Sequence, residues 1–260
     1  MLYQILSYLK FLRYSTNQHG IHSPFIYQLT TKCLYINDKN ITNQFLIFKK
    51  YKNSLLQNIQ SIQVADFGAG SKIFKSNHRK VAAIAKNAGI TNKKAKLLIK
   101  IIQYFKPQQI LEIGTSLGLG TSCLSIGNTN AKITTLEGCP QTAQIAQKQF
   151  DDFNFHNINI NVGDFKDTLQ EVSHNQQFDL IYFDGNHTKE STLRYFNQCL
   201  STALNNSIVI FDDIHWTKDM EEAWNQIKDH EAITVSIDVY FWGIVFFRKE
   251  QPKQHFIIRV

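Results

Sequence analysis

Carboxylates stand at the ends of four apolar runs in this chain, where they can accept hydrogen bonds from a ligand or hold a cation. Glu112 ends the first run, and Glu137, Asp164 and Asp184 end three later runs. If the runs are parallel strands, their carboxyl ends meet at one edge of a sheet, which is where open α/β sheets bind ligands. The pattern therefore predicts a row of carboxylates along one binding edge.

Three glycines follow the first of these carboxylates. They are Gly114, Gly118 and Gly120, with Ser116 between them, and a helix start with small residues comes next. Glycine lets the backbone turn tightly and approach a ligand closely. A strand, a glycine turn and a helix, followed by the acidic end of a second strand, indicate a nucleoside-binding α/β enzyme. The alternative is a plain strand-to-helix turn in some other α/β protein.

Apolar periodicity predicts the elements that position these residues. Residues 1–60 are predicted to form helices and loops, and from Thr91 strands and helices alternate as in a parallel sheet. Ile233–Val239 and Gly243–Arg248 are separated by only three residues, so this last pair is predicted to be antiparallel. Five earlier strands are predicted near residues 109–113, 132–137, 158–163, 178–184 and 208–213.

The glycine segment resembles a known motif. Glu112-x-Gly114-x-x-x-Gly118-x-Gly120 is similar to motif I of the class I S-adenosylmethionine-dependent methyltransferases, and most similar to its O-methyltransferase version. The resemblance implies an α/β fold with a Rossmann-like, doubly wound, seven-stranded, mostly parallel sheet, an antiparallel terminal hairpin and an added N-terminal helical segment. It also implies that the cofactor S-adenosylmethionine is bound by the residues of the turn, by Glu137 at the ribose and by Asp164 at the adenine. The turn residues in this set are Glu112, Gly114, Ser116, Gly118 and Gly120.

Two further segments narrow the resemblance to metal-dependent enzymes. Residues 178–192 and 208–216 are similar to segments of bacterial sugar O-methyltransferases and, more distantly, of catechol and caffeoyl-coenzyme A O-methyltransferases. This implies that Asp184, Asp212 and Asp213 bind a divalent cation, usually Mg²⁺, and that Asp184 also touches the cofactor. Three neighbouring carboxylates repel one another without such a cation. The alternative is that Asp212 and Asp213 cap a following helix.

His187 is the predicted general base, acting with Asp184. The catechol-type enzymes carry a lysine at the position three residues after the first metal aspartate, where this chain has His187. Histidine can accept a proton near neutral pH. His215 competes for the role, and a histidine in a loop also often has only a structural role.

Charge is divided unevenly along the chain. Residues 1–106 carry 17 Lys and Arg against two acidic residues, whereas the remainder carries 11 against 19, which together give the net charge of +7. The basic part is expected to meet a small or anionic acceptor, or to be a solvated face. An RNA-modifying methyltransferase is one alternative, although the Asn/Asp-Pro-Pro-Tyr/Phe motif of base methylation is absent. A non-catalytic cofactor-binding protein is another.

The same features predict two functional parts, a basic substrate-side segment over residues 1–90 and a methyltransferase domain over 91–260. Gly68 and Gly70, with the lysines that follow them, are assigned to a loop near the substrate. Four scattered cysteines and no membrane-spanning run are typical of a cytoplasmic protein. The apolar N-terminal helix is expected to pack on the protein body, with peripheral membrane contact as the alternative. The acceptor and the oligomeric state are not readable from the sequence.

Overall fold

A computed structural model describes residues 2–36, 40–65, 76–174 and 176–260. Gly68 and Gly70 of the predicted substrate loop therefore lie outside the described residues. The chain forms two compact units, which we call the terminal unit (Met1–Tyr35 with Ser173–Val260) and the central unit (Ile36–Val172). The predicted functional division at residue 90 does not coincide with the boundaries of these units, and it stays a prediction.

Ten α-helices are found in the described part of the chain. They are α1 (Leu2–Tyr14), α2 (Pro24–Leu29), α3 (Asn40–Leu56), α4 (Val81–Asn87), α5 (Asn92–Phe105), α6 (Leu119–Gly127), α7 (Pro140–Asp152), α8 (Phe165–Ser173), α9 (Lys189–Cys199) and α10 (Lys218–Asp229).

Ten strands are found in the same described ranges. They are β1 (Ser61–Gln63), β2 (His78–Lys80), β3 (Gln109–Ile113), β4 (Lys132–Glu137), β5 (Ile158–Val162), β6 (Phe178–Phe183), β7 (Ala203–Asp212), β8 (Val235–Asp238), β9 (Trp242–Phe246) and β10 (Gln254–Ile257).

The central unit contains three parallel strands in the order β3-β4-β5 and a separate antiparallel pair, β1 and β2. Strands β3 and β4 are almost continuously buried, as expected for parallel strands that are covered on both faces. Helix α5 begins at the N-cap Thr91, whose hydroxyl accepts from the Lys94 amide, and ends at Lys106, immediately before Pro107.

The terminal unit contains five strands in the order β10-β8-β9-β7-β6. Strand β9 is antiparallel to both β7 and β8, while β6 pairs with β7 and β10 with β8 in parallel. The predicted antiparallel hairpin is therefore confirmed, and so is the Rossmann-like, mostly parallel α/β class. The count of seven is corrected to eight sheet strands, because the tail pairs with β8 as β10.

Three further local features concern the described residues. The segment His19–Pro24 is a turn between helices, in which Ser23 caps α2 and Pro24 occupies its first turn. The four cysteines are buried, and none of them forms a disulfide. Among the described residues, we find no helix that is both long and apolar enough to cross a membrane.

Candidate functional site

The glycine turn of the central unit follows β3 and is held against β4. The amides of Gly114 and Thr115 both donate to the Leu136 carbonyl at 3.0 Å, and the Gly118 amide donates to the Thr115 carbonyl at 2.8 Å. Gly114 (φ 108°) and Gly118 (φ 74°) adopt backbone conformations that favour glycine, which explains their residue type. The predicted strand–turn–helix unit is therefore present.

Ser116 is the non-glycine residue of this turn with a positive φ, 48°. Its amide donates to Oε2 of Glu137 at 2.7 Å, so the left-handed conformation is tied to a charge-assisted hydrogen bond. Oε1 of Glu137 accepts from the Cys139 amide at 2.9 Å. Burial raises the pKa of the Glu137 carboxyl, and the amide hydrogen bonds oppose that rise. The second carboxylate thus fixes the turn while 9% of its residue surface remains exposed.

Glu112 is fully buried below the turn. Its Oε2 accepts from the hydroxyls of Thr121 at 2.5 Å and Thr135 at 2.6 Å. Oε1 is buried and has no hydrogen-bond donor among the described residues. Burial raises the pKa of Glu112 to about 8, against the lowering effect of the two hydroxyls. This unused buried oxygen beside a glycine turn can pair with a polar or cationic ligand group, and a cationic group would favour the ionised, accepting form of the carboxyl.

Gly118 also meets two aromatic side chains, which the sequence did not predict. A Cβ atom at this position would lie 2.4 Å from Cε1 of Phe150 and 2.5 Å from the Tyr51 hydroxyl. Tyr51, which is completely buried in α3, donates to the Leu117 carbonyl at 2.9 Å. A glycine is therefore required at 118 by the protein's own packing. No local sequence signal connects Tyr51 with a turn 66 residues away.

The other predicted cofactor residues of the central unit, Gly120 and Asp164, have different surroundings. Gly120 is the second residue of α6 and is buried. Asp164 is exposed, and its Oδ1 accepts from the Lys166 amide at 2.8 Å where α8 begins. Asp164 thus stabilises a helix start, and its contact with adenine stays a prediction.

In the terminal unit, Asp184 and His187 lie in the loop between β6 and α9. Oδ2 of Asp184 accepts from the Tyr182 hydroxyl at 3.2 Å, and Oδ1 lies 3.9 Å from Nε2 of His187. Both side chains are partly exposed, at 24% and 28%. This is a carboxylate–imidazole pair in which the imidazole is accessible to a proton donor.

Asp212 is the last residue of β7 and Asp213 follows it, and neither caps a helix, since α10 is capped by Thr217. Asp212 is buried, and Asp213 adopts a φ of 55° while its amide donates to the Phe241 carbonyl at 2.9 Å. Within the described ranges, no group of three or more His, Cys, Asp or Glu side chains is arranged to hold a metal ion. The three aspartates of the predicted metal site are thus not an assembled ligand set.

His215 has both ring nitrogens facing carboxylates. Nε2 lies 2.8 Å from Oδ2 of Asp238, and Nδ1 lies 3.4 Å from Oε2 of Glu221. Burial favours the neutral ring, but the two carboxylates outweigh it and raise the pKa of His215. Both ring nitrogens of His215 already face carboxylates, so neither is directed at a substrate hydroxyl, and His187 remains the candidate base.

A second histidine cluster in the same unit resembles a nucleophile arrangement. Nδ1 of His255 contacts the Ser236 hydroxyl, and Nε2 lies 3.3 Å from Oδ1 of Asp229. However, Ser236 is only 1% exposed within β8, where no substrate can reach it. The cluster therefore joins β8 and β10 and has no catalytic role.

The family model for a methyltransferase domain matches residues 111–214, which include both the glycine turn and Asp184. This match indicates that residues 111–214 are similar to methyltransferase domains. No curated protein sequence matches the chain.

Solved structures share the fold at low sequence identity. The chain is similar to the S-adenosylhomocysteine-bound methyltransferase PaMTH1 of Podospora anserina, with a TM-score of 0.57, 15% identity and coverage of 88% of this chain and 97% of that one. It is similar to an O-methyltransferase of Bacillus cereus in complex with S-adenosylhomocysteine (0.54, 17%, 84% and 96%). It is also similar to TomG of Streptomyces achromogenes, an O-methyltransferase of tomaymycin synthesis in complex with S-adenosylmethionine (0.56, 14%, 89% and 99%). The predicted resemblance to class I methyltransferases is confirmed for the domain and the fold.

Proposed function

We propose that this protein is an S-adenosylmethionine-dependent methyltransferase that transfers a methyl group to a hydroxyl oxygen of a small or anionic acceptor. The observation that carries the proposal is the glycine turn between two buried glutamates, Glu112 and Glu137, inside a matched methyltransferase domain. The O-methyltransferases among the similar structures support the choice of oxygen as the methyl acceptor.

The central unit fits a nucleoside cofactor with a cationic end. Each oxygen of Glu137 accepts one amide hydrogen bond and can still accept from a ribose hydroxyl. The unused Oε1 of Glu112 matches an ammonium group, directly or through water, because a charged partner offsets the cost of a buried carboxylate. When bound, S-adenosylmethionine supplies an electrophilic methyl group, and the turn residues hold and orient its carrier.

In the terminal unit, His187 is the proposed general base. Its accessible Nε2 would take the proton from the acceptor hydroxyl, and Asp184 would stabilise the imidazolium that forms. The contact of 3.9 Å is longer than a hydrogen bond, as is common before substrate is bound. The resemblance also predicts that Asp184 contacts the cofactor.

The experiment follows S-adenosylhomocysteine release from purified protein against a panel of hydroxylated small molecules. His187→Ala should lower kcat by about 10² to 10⁴, the usual contribution of a general base, without weakening S-adenosylhomocysteine binding. His174→Ala, at an exposed histidine of the same unit, is the matched control. A His187→Ala enzyme with wild-type kcat would remove His187 from the mechanism, and cofactor binding without any turnover would favour a non-catalytic binding protein.

Metal assistance is a separate part of the proposal, resting on the resemblance of the segments around Asp184, Asp212 and Asp213. The described residues give it no assembled ligand set, so no step is derived through a metal. The same assay tests it: turnover should vanish with excess chelator and return with Mg²⁺, and Asp212→Asn should lower turnover more than cofactor affinity. Full turnover in chelator would refute the metal role.

Methylation of an RNA hydroxyl is the second candidate. It is favoured by the charge of residues 40–65 and 76–111, which contain 11 Lys and Arg and no Asp or Glu. Binding to RNA through such a segment should weaken steeply as salt rises, which distinguishes this acceptor class from a neutral small molecule.

A further inference from the structure

Helix α1 carries apolar side chains on the face that points away from the protein. Leu2, Ile5, Leu6 and Leu9 are 71%, 54%, 57% and 56% exposed, and their spacing places them along one side of the helix. We call these four residues the apolar stripe. The opposite side of α1 contains the buried residues Ser7 and Phe11. Because α1 already buries a different face, the stripe is not needed to fold the helix onto the terminal unit.

Polar contacts fix the orientation of α1 within the terminal unit. The Tyr3 hydroxyl donates to Oε2 of Glu221, and Nζ of Lys10 lies 3.3 Å from Oε1 of the same carboxylate. The Tyr240 hydroxyl donates to the Gln4 carbonyl at 2.8 Å, and the Gln4 side chain donates to the Trp216 carbonyl at 3.3 Å. The apolar stripe is therefore held outward by contacts on the other sides of the helix.

This exposure is concentrated on α1 within its unit. Among the described residues of the terminal unit, nine large hydrophobic side chains are exposed, and six of them belong to α1, the others being Tyr27, Leu204 and Trp216. Tyr8 and Tyr14 supply the aromatic members on the helix, at 45% and 58% exposure. Such a patch indicates an interaction surface.

The charge of α1 indicates which kind of partner covers the apolar stripe. Helix α1 contains Lys10 and Arg13 and no acidic residue, and of the two Lys10 is already paired with Glu221. Aliphatic side chains flanked by basic residues and by exposed tyrosines are suited to the boundary between an anionic lipid headgroup layer and its acyl chains.

The size of the apolar stripe also favours a bilayer surface over a second copy of the chain. A helix of 13 residues is about 20 Å long and about 10 Å wide, so one face offers roughly 200 Å² in projection. A stable dimer buries about 800 Å² on each partner. A length of about 20 Å is also short of the ~30 Å hydrocarbon core, so α1 would lie on a bilayer and not cross it.

We propose that α1 is a peripheral membrane-binding helix whose apolar stripe enters the surface of an anionic bilayer. This proposal does not depend on the methyltransferase function, because all of its evidence lies in α1 and the residues that anchor it.

The test is sedimentation of the full chain with vesicles of phosphatidylcholine alone and of phosphatidylcholine with phosphatidylglycerol. The wild type should bind the anionic vesicles at least about tenfold more strongly than the neutral ones and should be released by high salt. Leu6→Gln together with Leu9→Gln should lower binding about tenfold or more. Leu204→Gln, at another exposed leucine of the terminal unit, should bind as the wild type does.

Three results would overturn the proposal. The wild type could fail to bind anionic vesicles, or the Leu204→Gln control could lose binding as much as the double variant, which would make the effect non-specific. Light scattering could instead show a wild-type dimer that the double variant converts to a monomer, which would assign the stripe to a second copy. Circular dichroism and thermal unfolding of each variant exclude misfolding as the cause of lost binding.

Discussion

Glu112 is a fully buried carboxyl group. Its Oε2 accepts hydrogen bonds, whereas its Oε1 has no hydrogen-bond partner among the described residues. Two threonine hydroxyls hold Oε2, and burial still raises the pKa to about 8. A group of this kind is retained at a cost to stability, which is common where a ligand completes the hydrogen bonding.

The first prediction is a pH dependence of stability caused by Glu112. Its pKa is about 8 in the folded state and near 4.5 in the unfolded chain, so the folded state holds the extra proton between those values. The free energy of unfolding should therefore fall as pH rises from about 4.5 to about 8, by at most about 1.4 kcal/mol per pH unit from this group. The measurement is urea unfolding at pH 5, 6, 7 and 8.

Glu112→Gln removes this titration, so the variant should lose less stability than the wild type over the same pH range. Burial raises the pKa of Glu137 as well, but that contribution is present in both proteins and cancels in the comparison. Glu231→Gln, at an exposed glutamate, should keep the wild-type slope. Equal slopes for the wild type and Glu112→Gln would show that Glu112 is already ionised in the folded protein.

At the scale of elements, α3 supports the turn that follows β3. The hydroxyl of Tyr51 reaches the Leu117 carbonyl, and the ring of Tyr51 stacks at 6.2 Å on Phe150 of α7. Gly118 lies against both side chains. A helix from the basic N-terminal segment is thus a support for the proposed cofactor turn.

Tyr51→Phe should loosen this turn while preserving the packing of the ring. The Leu117 carbonyl would lose its donor, at about 1–3 kcal/mol for a buried unsatisfied acceptor. We expect the free energy of unfolding to fall within that range and the Kd for S-adenosylhomocysteine to rise several-fold. Urea unfolding and calorimetry measure the two effects.

Tyr27→Phe is the matched control, because this tyrosine is 49% exposed. A Tyr51→Phe protein that binds S-adenosylhomocysteine as tightly as the wild type would show that the hydroxyl supports folding only. An unchanged free energy of unfolding would show that the hydrogen bond from Tyr51 to Leu117 does not stabilise the turn.

The sequence predicted elements that have strong local signals. Strand β3 covers the predicted range 109–113, and α5 begins directly after Thr91, where the regular alternation was predicted to start. The short helix α4 and the pair β1–β2 were missed, because strands of three residues such as the exposed, basic β2 carry no apolar alternation.

The sequence predicted those contacts of the site that follow directly from the order of the parallel strands. The proximity of Glu137 to Ser116 follows from the parallel pairing of β3 with β4. By contrast, the pairing of His215 with Asp238 spans 23 residues, and tertiary contacts of this kind leave no mark in spacing. Among the described residues, Asp184, Asp212 and Asp213 are not assembled as a ligand set, so their metal role stays a prediction.

At the scale of the whole molecule, the chain divides its charge between a basic first part and an acidic remainder. The methyltransferase domain match covers residues 111–214, and the similar structures extend the fold over most of the chain. The central claim is that the turn between Glu112 and Glu137 binds the methyl donor, and every proposed step of the reaction depends on it.

Calorimetric titration of the purified chain with S-adenosylhomocysteine tests that claim most directly. We expect a Kd in the micromolar range, about −8 kcal/mol. Glu137→Ala should weaken binding by roughly 1.5–3 kcal/mol, because charge-assisted hydrogen bonds to the ribose are lost. Glu171→Ala, at an exposed glutamate of α8, should bind as the wild type does. No heat with S-adenosylhomocysteine but clear binding of NAD, or a Glu137→Ala variant with wild-type affinity, would contradict the account.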